Sequence, residues 1–195
     1  MKLNDYFKKS DAFDDKQLLY INYGYSVIKN ELSKFILLLI FYILIGHQLE
    51  YLFYLLILTP VRIFSGGLHL KSNFLCFIAS FIFSFVNIYL LPLIILPDPV
   101  YWVMMISSII ISIVIAPVKN PNRPIKTRVR YINLKKKVAI FMILGSILLL
   151  ILSINGSQIF YVIGVWALFM NSLQILFIQI SDSRKGGENV ESTIY

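Results

Sequence analysis

The sequence predicts an all-α integral membrane protein, with about six transmembrane helices, an N-terminal amphipathic interfacial helix and both termini cytosolic. Three observations carry that expectation. Charged residues make up only 14% of the chain and hydrophobic ones 58%, with a mean hydropathy of +0.76, whereas a soluble domain is roughly 25% charged. The apolar residues gather into six runs, and the cations fall in alternate gaps between those runs. A formal net charge of +8 would suggest nucleic acid in a soluble chain. Here the positions of the cations explain it better, so the lipid bilayer is the expected partner and nucleic acid is not.

Residues 1–33 mix charges with aromatics. Leu18, Ile21, Tyr25, Ile28 and Leu32 recur at steps of three and four, which puts them on one helical stripe, while Lys16, Lys29 and Glu31 fall off it. This segment reads as a helix lying on the membrane surface, a soluble helix packed on a cytosolic loop being the alternative. It contains no apolar stretch of the kind found in a cleavable signal peptide, so the first apolar run is expected to serve as the insertion signal.

The six runs lie at about 35–46, 51–64, 74–96, 100–118, 138–154 and 158–180. Together they make the transmembrane bundle, residues 34–180, of a single membrane domain over 1–195, which includes a polar tail over 181–195 that is expected to be disordered. At about 1.5 Å per residue the third and sixth runs exceed the ~30 Å hydrocarbon core. The first two are short, and either form a shallow hairpin or are lengthened by interfacial residues such as Lys34 reaching the headgroups.

The cations set the orientation. Of 18 lysines and arginines, six precede the first run, two (Arg62 and Lys71) lie in the second connection, eight run from Lys119 to Lys137 in the fourth, and two (Arg184 and Lys185) lie in the tail. The odd-numbered connections hold none. That alternation matches the positive-inside rule with both termini cytosolic, and it puts the second and fourth connections on the cytosolic face.

The second connection holds the residues that suggest chemistry: Arg62-Ile-Phe-Ser-Gly-Gly-Leu-His-Leu-Lys-Ser-Asn-Phe-Leu-Cys76. Gly66-Gly67 allows a sharp turn. Ser72 stands where a helix N-cap is expected, and Asn73 follows it. Cys76, the only cysteine, then falls in the first turn of the next helix. Unpaired N–H groups and the positive end of the helix favour an anion there, and so a thiolate nucleophile. His69 can fold over that turn as general base and then protonate the leaving amine. In one continuous helix the two would lie about 10 Å apart along the axis, so the helix must start after His69. The bland alternatives stand beside this reading. A lone cysteine is commonly a small buried hydrophobe, and Arg62 either helps set topology or binds a substrate carboxylate. Asn73 or a backbone carbonyl could orient the imidazole. Nothing in the chain resembles a metal or cofactor site.

The fourth connection follows the Ala116-Pro117 pair, from Lys119 to Lys137, and carries Lys119, Arg123, Lys126, Arg128 and Arg130. Pro117, Pro121 and Pro124 stop the preceding helix from continuing. The cations suit anionic headgroups and an acidic partner alike.

The pattern Arg62-x3-Gly66-Gly67-x-His69-x6-Cys76 resembles the signature of the AgrB family, the accessory gene regulator B endopeptidases of Gram-positive quorum sensing. The resemblance covers nearly the whole chain, including the amphipathic N-terminus and the Pro-Asn-Arg-Pro loop. It implies that Cys76 and His69 are a catalytic pair, that the substrate is an AgrD-like propeptide, and that the enzyme is a homodimer in the bacterial cell membrane with its active site at the cytosolic face. It also implies the reaction: the cysteine releases the propeptide's acidic C-terminal tail, and the acyl thioester is captured within the peptide as a thiolactone or lactone. Two other classes stay open on the residues alone, a peptide or small-solute transporter and a non-catalytic membrane scaffold. The absence of ionisable residues at the middle of the long spans disfavours the transporter.

Overall fold

The structure, a computed structural model, describes residues 15–67, 72–118 and 127–191. Every regular element among them is helical: α1 (Asp15–Leu44), α2 (Gln48–Ser65), α3 (Asn73–Phe85), α4 (Asp98–Ile115), α5 (Arg128–Ile154) and α6 (Gln158–Glu191). The chain divides into two compact units, Met1–His47 and Gln48–Tyr195.

In the first unit the expected surface helix and the first apolar run are one continuous helix, α1, of 30 residues. No proline separates the amphipathic stripe from Phe35, and extending a formed helix is far cheaper than starting a second one. Lys34 is paired with Glu31 one turn earlier at 2.6 Å. The helix ends in a left-handed glycine, Gly46 at φ +78°. His47 donates its N–H to the Tyr42 carbonyl at 2.8 Å and Gly46 donates to Ile43 at 3.2 Å, the two bonds of a Schellman ending.

In the second unit α6 is the central helix, packed against α2, α4 and α5. Ile57 and Val61 of α2, Tyr101 and Met104 of α4, Val138, Met142 and Leu149 of α5, and Tyr161, Val165 and Leu168 of α6 form its core. Gly164 lets α5 approach closely, because a Cβ there would collide with the Leu149 side chain. Hydroxyls bind α4 to α6: the oxygens of Ser112 and Ser172 lie 2.9 Å apart, and Ser172 is 3.1 Å from the Ser108 carbonyl. Such small polar residues let neighbouring helices pack closely in a bilayer. A second Schellman ending, with Gly156 at φ +77°, turns α5 into α6.

Four helical stretches are long and apolar enough to cross a membrane: Asn73–Leu93, Asp98–Ile115, Arg128–Ile154 and Gln158–Ser181. α1 and α2 do not join them, since charged residues (Glu31 and Lys34, Glu50 and Arg62) interrupt their apolar stretches.

Three further expectations are corrected. The third run is not a uniform α-helix: α3 gives way to a π turn over Val86–Leu90 and a 3-10 turn over Leu91–Leu93. Pro92 has no N–H to continue the ladder and clashes with the turn before it, so the backbone rewinds around it. The basic connection does not extend to Lys137, because α5 starts at Arg128. Thr127 is its N-cap, accepting the Arg130 N–H at 3.3 Å. The tail is also not without structure, since the backbone of α6 stays helical to Glu191. Propagation from a helix anchored in the core carries it through Gly186-Gly187.

Candidate active site

Residues at the end of α2 meet the start of the fourth connection. Gly66 closes α2 by donating to the Arg62 carbonyl at 3.2 Å and takes φ +83°. A Cβ at Gly66 would lie 3.0 Å from Val118 Cγ2. Its position therefore needs glycine twice, for the left-handed backbone and for the space. Val118 in turn donates its N–H to the Ser65 carbonyl at 3.0 Å, and the buried Ser65 hydroxyl donates to the Gly66 carbonyl at 3.1 Å. Ala116 and Val118 are buried. The carbonyl at the end of α2, which no residue of its own helix can satisfy, is thus capped by a distant part of the chain.

Gly67 has a different task. A Cβ there would come within 3.1 Å of Arg62 Nε, so the missing side chain makes room for the guanidinium. Arg62 is half-buried, and its Cζ lies 5.9 Å from the centre of the Phe83 ring on α3, a cation–π contact. Two residues further along α2, Phe64 stacks on Phe141 of α5 at 5.4 Å and 12°, with Lys137 Nζ 5.0 Å from its ring centre. Nonpolar rings therefore hold two cations at this end of the unit.

Cys76 falls in the first turn of α3, as the sequence predicts. Ser72 takes an extended backbone at the cap position, φ −104° and ψ 135°. No continuous helix therefore runs from His69 to Cys76, which is the condition that the proposed pair requires. The Ser72 hydroxyl makes no capping bond; its carbonyl accepts the Cys76 N–H at 3.0 Å. Cys76 is half-buried and Asn73 is exposed. Ser80 donates to the Cys76 carbonyl at 2.9 Å, and the buried Asn87 amide donates to the Phe83 carbonyl at 2.7 Å. Cys76, Ser80, Phe83 and Asn87 recur at steps of four, three and four, and so share one face of the helix.

His69 lies outside the described residues, as do Lys119, Arg123 and Lys126. Arg128 and Arg130 are exposed in the first turn of α5. Cations there face the positive end of their own helix, an unfavourable arrangement that an anionic neighbour would relieve. Arg62, Arg128, Arg130, Lys135, Lys136 and Lys137 all belong to the end of the unit where α2 stops and α5 starts, whereas Glu50 and Asp98 belong to the opposite end.

Sequence reasoning missed Phe83, Phe64 and Val118. The phenylalanines look like lipid-facing residues in an apolar run, and nothing local marks them as partners of cations. Val118 reads as the last residue of the fourth apolar run, and Pro117 before it is the signal that the helix has already ended.

The chain matches the profile of accessory gene regulator B over residues 1–178. An AgrB-like protein from Clostridium beijerinckii is 29% identical over 127 residues, a match that covers 63% of this chain and 63% of that relative. The chain thus spans under two thirds of that relative's length. No solved structure matches.

Proposed function

The chain belongs to the accessory gene regulator B family, and from that premise we propose that it is a membrane-embedded cysteine endopeptidase that processes an AgrD-like quorum-sensing propeptide. The observation that carries this reading is the placing of Cys76. It stands in the first turn of α3, four residues after the helix break at Ser72 and seven after His69.

In the proposed reaction His69 takes the proton of the Cys76 thiol as sulfur attacks the carbonyl carbon between the peptide's core and its tail. The S–C bond forms, the C–N bond breaks, and the imidazolium returns the proton to the leaving amine. The core stays on the enzyme as a thioester. A Cys or Ser side chain within the core then attacks that carbonyl, closing the thiolactone or lactone ring and restoring the thiol. The thioester keeps the acyl group activated, so ring closure needs no ATP. A site at the membrane surface would favour the internal nucleophile over water.

The distribution of charge supports a cytosolic site by the positive-inside rule, with six spans and both termini cytosolic. Lys119, Arg123, Lys126, Arg128 and Arg130 would dock the acidic tail. Gly66, Gly67, Ser72 and Asn73 would shape the turn that carries His69. The working unit would be a homodimer in the bacterial cell membrane.

Co-expression with the cognate propeptide tests the assignment. Cys76→Ala is expected to abolish tail release, and release at the normal rate by that variant would overturn the proposal. A thiol-alkylating reagent should also label Cys76 faster than a model thiol.

A further inference from the structure

We propose that Arg62, with Phe83 as its backing, is the residue that selects substrate by binding a peptide carboxylate about three residues away from the cleaved bond. This rests on the endopeptidase reading and adds a register to it.

Among the described residues, Arg62 is a half-buried cation with no counter-ion. Among the described residues no carboxylate lies within ion-pair distance of it; the pair that does form is Lys34–Glu31. Its guanidinium faces the Phe83 ring at 5.9 Å and the space left by Gly67. A guanidinium carries five N–H donors in a planar fork suited to a carboxylate. A ring face steadies that plane but accepts none of those hydrogen bonds in full. A cation on an apolar helix is costly unless an anion, water or headgroup meets it. Gly67 and Phe83 hold this one in place, and among the described residues its guanidinium meets no hydrogen-bond acceptor.

The register follows from α3. Phe83 is seven residues beyond Cys76, two turns along the same helix face, or about 10.5 Å along the axis. An extended peptide advances about 3.3 Å per residue. A chain lying along that face with its scissile carbonyl at the sulfur would therefore bring its third residue to the level of Phe83, whose ring faces the guanidinium. Lipid phosphate is the other anion within reach at a membrane surface. The exposed Arg128 and Arg130 are better placed for headgroups, whereas Arg62 is half-buried beside the face that carries Cys76.

The test uses the full-length chain in phosphatidylcholine vesicles. The cognate propeptide is varied so that a single glutamate or glutamine occupies each position on either side of the cleaved bond. The readout is the ratio of kcat/KM for glutamate over glutamine. A ratio of about tenfold or more is expected at the third residue on one side, falling to about one in Arg62→Gln and partly restored in Arg62→Lys. Phe83→Leu, which keeps the apolar bulk and removes the ring, should lower the ratio. A merely structural Arg62 would slow both peptides equally and leave the ratio intact, which overturns the proposal. So does a ratio that stays at one everywhere while phosphatidylglycerol in the vesicles changes the rate through Arg62, since the anion is then lipid. Tail release by Cys76→Ala would instead sink the endopeptidase reading itself.

Discussion

α6 and the stretch Asn73–Leu93 that α3 opens are both long and apolar, yet about half of the apolar part of α6 is buried and only 17% of that of Asn73–Leu93. α6 is held by α2, α4 and α5. α3 joins the other helices chiefly through its π and 3-10 turns, leaving the thirteen α-helical residues that carry Cys76 at the margin of the unit. Few packed neighbours mean a low cost of local movement. On the proposed reading, such freedom would let α3 admit a peptide beside Cys76.

The comparison can be broken most forcefully at Leu149, a fully buried residue set against Gly164. Leu149→Ala should cost about 2–5 kcal/mol of stability, read as a lowered midpoint of thermal unfolding in detergent. An unchanged midpoint would mean that the α5–α6 contact is not the scaffold. A smaller effect is expected where scaffold and site meet. Gly66→Ala forces a side chain into a left-handed backbone, at about 1–2 kcal/mol, and presses a Cβ on Val118. Its stability loss should be accompanied by slower tail release in a propeptide assay, because the turn leading towards His69 is displaced. The smallest effect belongs to α3 itself. Phe74 is 69% exposed, so Phe74→Ala should leave the unfolding midpoint within about 0.5 kcal/mol of wild type. A large drop there would show that α3 is packed against something as α6 is, and the contrast would dissolve.

The helices themselves were largely legible in the sequence. Six apolar runs correspond to six helices, and Ser72 and Cys76 stand where the N-cap and first turn were expected. The errors lie at boundaries. The amphipathic segment fused into α1, the basic connection gave its last ten residues to α5, and the tail continued α6. In each case charge pattern suggested a border, but helix propagation does not stop at charged residues. The π turn near Asn87 escaped for a different reason: Pro92 announces a break but not how the backbone absorbs it.

By itself the sequence determined the membrane class, the alternation of cations and the spacing of Arg62, the glycine pair, His69 and Cys76. Those follow from hydropathy and covalent order, which need no folded partner. Only the tertiary structure decided why the two glycines differ, one making way for Val118 and the other for Arg62. It alone set Phe83 beneath that guanidinium. Contacts between residues distant in the chain depend on how helices pack, and packing depends on shapes facing one another across a gap, which no local stretch of sequence records.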